Sequence, residues 1–259
     1  MTAAPDLAVD RFRHLAGLPE DVPVLETTGF KTTQYVARRA IADGEIAAFT
    51  GRAGLGKSFA VDHAVRGSGS PWIWIQIGPA PRPKEVTARL LKDIFGSFQA
   101  GTLYELTDLL VAELTTEPRI VVLDDAQNLD KDGLDQVRLL HDLAASAFPL
   151  FLVGGEGCAD RLASDPQLAD RVGGWVKFNP LPSDKLIPLL AEYHPFYEAS
   201  DPELLGKVDE VYAKGVLRRW ARLLKTALPL ATNTATPDRL TLPVVQAALA
   251  VLQREPNLS

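Results

Sequence analysis

Up to about residue 178, short apolar runs alternate with longer stretches whose apolar positions recur every three or four residues; beyond it only the second pattern continues. The short runs predict strands over 46–50, 72–77, 119–123, 149–153 and 175–178. Helical spacing predicts helices over 31–42, starting near Thr32 and Thr33, and from Phe59 to Val65, then over 84–95, 103–114 and 133–147. Several of the strands are apolar on both faces. Strands of that kind alternating with helices predict a parallel α/β sheet flanked by helices. From Leu181 onward the pattern is helical, with Asn179-Pro180-Leu181-Pro182 as the hinge. The expected organisation is an N-terminal arm over 1–29, an α/β domain over 30–180 and a small C-terminal helical lid over 181–259.

The junction between the first strand and its helix holds the most informative residues. Gly51-Arg52-Ala53-Gly54-Leu55-Gly56-Lys57-Ser58 fits G-x-x-x-x-G-K-[ST] without a mismatch and stands in the strand–loop–helix context that pattern requires. Glycines let the backbone turn sharply and aim several N–H groups at one point, and the helix that follows adds its positive end. Such a loop binds the phosphates of a nucleoside triphosphate. Gly51 to Ser58, with Phe59, are the expected ATP-binding residues; Lys57 reaches the β- and γ-phosphates and the Ser58 hydroxyl ligates Mg²⁺. A Gly-rich turn with a chance Lys-Ser is the plainer alternative. Farther along, Ile120-Val121-Val122-Leu123 runs into Asp124-Asp125, placing acid at a strand's C-terminal end, where open α/β sheets bind ligands. Asp124 is expected to hold Mg²⁺, and Asp125 to orient or deprotonate the attacking water. Alone, two such residues could equally cap the next helix.

Composition narrows the class. The chain has 259 residues, 46% of them hydrophobic, enough for a real core. No apolar run has the length of a membrane span, residues 1–10 carry two Asp and no basic residue, and the single cysteine, Cys158, cannot form an internal disulfide. The expectation is a cytoplasmic protein with Cys158 as a small apolar filler. The four histidines have no metal spacing, and Trp72 and Trp74 read as sheet packing. A net charge of −6 argues against a broad nucleic-acid surface but leaves room for a local basic strip. The segment 214–225, with Lys214, Arg218, Arg219, Arg222, Lys225 and no acid, is one candidate. Arg82 and Lys84, in a Pro-rich stretch past a strand end, are weaker ones.

Gly51 to Ser58, Asp124-Asp125-Ala126-Gln127-Asn128-Leu129 and Leu152-Val153-Gly154-Gly155-Glu156 together resemble the AAA+ ATPases, and within them the branch of the TniB and phage Mu B transposition ATPases and the ExeA-type proteins. The resemblance covers roughly residues 30 to 250. It implies an arginine finger reaching a neighbouring subunit's site, which Arg171 matches, with Arg161 as runner-up. It also implies that Gly215-x-x-Arg218 is the sensor 2 region, with Arg218 reading the γ-phosphate. The family usually has Glu where Asp125 stands, so the carboxylate falls about 1.5 Å short by ordinary bond lengths, and slow hydrolysis follows. Where many relatives carry a polar sensor 1 residue this chain has Gly154 and Gly155; Gln127 or Asn128 could supply a polar contact instead.

The resemblance implies ATP-dependent assembly into a ring or filament on double-stranded DNA, acting with a transposase on its target and dismantled by hydrolysis. Three other readings stand beside it: a regulatory AAA+ protein acting on a protein partner without DNA, a P-loop small-molecule kinase, and a nucleotide-dependent binding module that scarcely hydrolyses.

Overall fold

The computed structural model describes residues 24–252, which divide into two compact units, one over Thr27–Asn179 and one that begins at Pro180. Most of the expected arm, including Arg11, Phe12, Arg13 and His14, lies outside the described residues.

The first unit opens with α1 (Thr28–Asp43) and β1 (Ile46–Gly51), then α2 (Lys57–Gly67), β2 (Trp72–Gln76), α3 (Pro83–Phe95) and α4 (Leu103–Thr116). Next come β3 (Ile120–Asp124), a 3-10 turn (Ala126–Asn128), α5 (Lys131–Leu143), β4 (Leu150–Gly154), α6 (Cys158–Ala163), α7 (Pro166–Ala169) and β5 (Val172–Phe178). The strands form one parallel sheet in the order β2-β3-β4-β1-β5. Its three inner strands carry the fully apolar runs: Ile46 to Phe49, Ile120 to Leu123 and Leu150 to Val153 are all buried. Each such Val, Leu, Ile or Phe side chain contributes about 1.5–3 kcal/mol on burial. Val86, Leu90, Leu106, Leu110, Leu134 and Val137 belong to the same core.

Several boundaries differ from those the sequence suggests. α1 starts a turn before Thr32, at Thr28, because the Thr27 hydroxyl accepts the Phe30 N–H (3.1 Å). Its first residues therefore belong to the stretch expected to be an arm. α5 begins at Lys131, where Asp130 accepts from Gly133 N (2.8 Å), and ends at Leu143 rather than 147, since Ala145 and Ser146 adopt positive φ. β5 starts at Val172, three residues before the expected Trp175, running through two glycines. A Cβ at Gly174 would overlap Val36 Cγ1, and one at Gly173 would overlap the Glu45 carboxylate. Glycine, ordinarily unfavourable in a strand, is here what lets α1 lie against the sheet.

The second unit comprises α8 (Ser183–Tyr193), α9 (Pro195–Glu198), α10 (Pro202–Val208), a π-helical turn (Asp209–Ala213), α11 (Leu217–Ala231) and α12 (Leu242–Leu252). It has its own core, in which Tyr197 stands edge-on to Trp220 and donates its hydroxyl to the Trp220 carbonyl (2.7 Å). α11 is sharply two-sided: Trp220, Leu223, Leu224 and Ala227 are buried, while Arg218, Arg222 and Lys225 are exposed. No helix among the described residues is long and apolar enough to cross a membrane.

Candidate nucleotide site

The phosphate-type loop leaves β1 at Gly51 and enters α2 at Lys57, two residues before the expected Phe59. Gly51, Gly54 and Gly56 have φ of 140°, 85° and 93°, a region other residues enter only with strain. A Cβ at Gly51 would overlap the Phe178 carbonyl oxygen. Leu55 is buried and pins the loop, Arg52 and Ala53 face solvent, and Ser58 and Phe59 are half-buried at the helix start. Lys57 is buried, and its ammonium donates to the Arg52 carbonyl across the loop (2.8 Å), so its charge is held over the concave side of the turn.

Asp124 closes β3, in register with Gln76 on β2 and Val153 on β4. Since β4 lies between β3 and β1, two strand spacings, roughly 10 Å, separate the acid-bearing strand end from the loop. Asp124 Oδ1 accepts the Asp125 N–H (2.9 Å). Asp125 then turns into the left-handed region (φ 58°), which Asp tolerates better than most residues. Its carboxylate accepts from two amides: Gln76 Nε2 on Oδ2 (2.8 Å) and Gln127 Nε2 on Oδ1 (3.2 Å). Neither contact is legible in the sequence. The only signal for Gln76 is a polar residue at the C-terminal end of an otherwise apolar strand. Cys158 is fully buried beside this cluster, and burial pushes its thiol up to about 12, in keeping with a filler rather than a nucleophile.

The arginines stand apart in character. Arg171 follows α7 and immediately precedes β5; its guanidinium pairs with Asp142 (2.5 Å) and donates to the Gln167 carbonyl (2.6 Å), while the side chain stays partly exposed. Arg161, in the last turn of α6, is exposed. In the second unit, the buried Asp209 accepts from Ser183 Oγ (2.7 Å), Gly215 N (2.9 Å) and Trp220 Nε1 (3.1 Å). It thereby fixes the turn that launches α11 and its exposed Arg218. Arg82 and Lys84 are exposed at the start of α3.

A family model described as an AAA domain matches residues 41–162, the span from the end of α1 to α6. The parallel five-stranded sheet flanked by helices agrees with it. The fold is that of an AAA+ P-loop NTPase. Solved structures with this fold include the Aeropyrum pernix ORC2 protein in ADPNP–ADP complexes, with a TM-score of 0.68 and 17% identity over 94% of this chain and 72% of that one. The Aeropyrum pernix ORC1 protein in complex with DNA aligns with a TM-score of 0.69 and 20% identity over 94% of this chain and 69% of that one. The Thermotoga maritima RuvB Holliday junction branch migration motor aligns at 0.58 and 15%, over 92% and 73%. No curated protein matches the sequence. Gly51–Ser58 and Asp124 both lie inside the matched span. The TniB-like branch rests on the motif residues alone.

Proposed function

We propose that this protein is an AAA+ ATPase that binds ATP with Mg²⁺ at Gly51–Phe59, assembles through that nucleotide into a homo-oligomer on double-stranded DNA, and regulates transposition until hydrolysis releases it. The observation that carries the nucleotide reading is the loop itself, whose three positive-φ glycines, Lys57 charge and helix start converge at the end of β1, across β4 from Asp124. The Ser58 hydroxyl and the Asp124 carboxylate are hard oxygen donors of the kind Mg²⁺ prefers, and a bound Mg²⁺ would neutralise charge on the transferred phosphoryl group. Lys57 binds and orients the phosphates. Asp125 orients the attacking water, and its short, doubly hydrogen-bonded carboxylate favours slow turnover and hence a timed switch. Arg171 completes a neighbouring subunit's site as the finger once freed from Asp142, and Arg218 reads the γ-phosphate.

The DNA and transposition parts rest on the Asp-Asp-Ala-Gln and Leu-Val-Gly resemblance; the ORC1 protein solved with DNA shares the fold. A cytoplasmic location fits this role. The test is sedimentation of the purified protein with a non-hydrolysable ATP analogue, with and without duplex DNA, at low and moderate salt. Nucleotide-dependent assembly on DNA that weakens with salt supports the proposal, because phosphate contacts release counterions. Assembly indifferent to DNA points instead to a regulatory AAA+ protein acting on another protein. A monomer throughout removes the finger assignment and revives the kinase reading.

A further inference from the structure

The sensor 1 position of this chain has no side chain to offer: Gly154 ends β4 and Gly155 follows it. What fills the place is Gln127, from the 3-10 turn after Asp125. Its Oε1 accepts the Gly155 N–H (2.7 Å) while its Nε2 donates to Asp125 Oδ1 (3.2 Å). The space exists because residue 154 lacks a Cβ, which would overlap Cys158 Sγ and come within 3.0 Å of Gln127 Oε1. From the same turn Asn128 reaches the other way and donates to the Ile77 carbonyl just past β2 (2.9 Å). Two neighbouring side chains thus tie the turn after β3 to the ends of both flanking strands.

The chemistry of position 127 is restrictive. It faces a main-chain N–H, which needs an acceptor, and a carboxylate, which needs a donor. Of side chains with this reach, only a primary amide supplies both from one terminus. Glutamate would keep the bond to Gly155 but set oxygen against oxygen at Asp125. Leucine would fill the volume and make neither bond.

Resting on the ATPase reading above, we propose that Gln127 is the positioning residue of the hydrolytic site, locking the Asp125 carboxylate to the end of β4 so that the two move as one piece. Gln127 takes no part in the reaction itself. It sets where Asp125 holds the water, and a displacement of about 1 Å there costs about 100-fold in rate.

The experiment compares Gln127→Leu and Gln127→Glu, in the wild-type and Asp125→Ala backgrounds, for ATP affinity and for phosphate release at saturating ATP. In the wild-type background both variants are expected to lower kcat ~10- to 100-fold with ATP affinity within about twofold. With Asp125 already removed, the same substitutions should lower kcat no further, because the residue acts only through Asp125. An equal fold-loss in both backgrounds overturns the proposal, as does an unchanged kcat in the isosteric Glu variant, which keeps its volume should the Leu variant fold poorly. Wild-type protein that binds no ATP overturns the ATPase reading and this role together. Wild-type protein that hydrolyses ATP normally while the Gln127 variants do likewise overturns this role alone.

Discussion

Asp125→Glu sets two consequences of one position against each other. The longer acid extends the carboxylate by about 1.5 Å. Asp125 now sits at φ 58° and accepts two amide hydrogens, at 2.8 and 3.2 Å. Left-handed backbone costs most residues about 1–2 kcal/mol, which a short local hydrogen-bonding side chain such as Asp partly offsets and Glu does not. Two lost or stretched amide bonds in a half-buried site cost about 1 kcal/mol each. The variant should therefore be less stable by about 3 kcal/mol, or about 6–12 °C in Tm for a domain of this size. It should bind ATP as the wild type does and release phosphate faster, by up to ~100-fold if reach is what limits turnover. Thermal unfolding monitored by tryptophan fluorescence, nucleotide titration and steady-state phosphate release measure the three quantities. A variant as stable as wild type refutes the strained, doubly bonded Asp125. One that turns over no faster refutes reach as the limit, and one that loses ATP binding means that the end of β3 has another role.

Lys57→Ala should abolish ATP binding, with the loss of the charged bond to the Arg52 carbonyl costing the fold about 1.5–3 kcal/mol; unchanged affinity in a fluorescent-nucleotide titration would sink the loop assignment. Arg171→Ala breaks a half-exposed ion pair with Asp142, worth at most about 1 kcal/mol, yet should lower hydrolysis by the assembled protein ~10³-fold without changing nucleotide binding by monomers. Normal hydrolysis per assembled subunit would make Arg171 a local partner of Asp142 and nothing more. His141 is buried, its Nε2 meets the Gly44 carbonyl (2.9 Å), and burial holds its pKa below the ordinary value. Below about pH 6.5 the unfolded chain takes up a proton that the folded protein refuses. Stability from this residue is thus complete above that pH and falls as the solution is acidified towards the folded pKa. Urea unfolding at pH 7.5 and pH 5.5 should show a smaller loss in His141→Gln than in wild type; equal losses would mean that His141 titrates as if exposed.

The sequence alone determined what depends on neighbours along the chain. The strand–loop–helix turn at Gly51 to Ser58 depends on consecutive residues and was therefore legible, as were the apolar run ending in Asp124 and the change to purely helical spacing past residue 178. The two-sided pattern of α11 was equally local, since helical geometry alone puts Arg218, Arg222 and Lys225 on one side and Trp220 and Leu223 on another. Only the tertiary structure decided which strand ends stand side by side. The order β2-β3-β4-β1-β5 brings Gln76 and Gln127 onto Asp125, and places Gly155 where Gln127 can reach it. Those pairings join positions up to 49 residues apart, so no local pattern encodes them. The glycines followed the same division: Gly54 and Gly56 were legible from their motif. Gly154, Gly173 and Gly174 gained meaning only from the side chains folded against them, because an absent Cβ matters where another part of the chain takes its space.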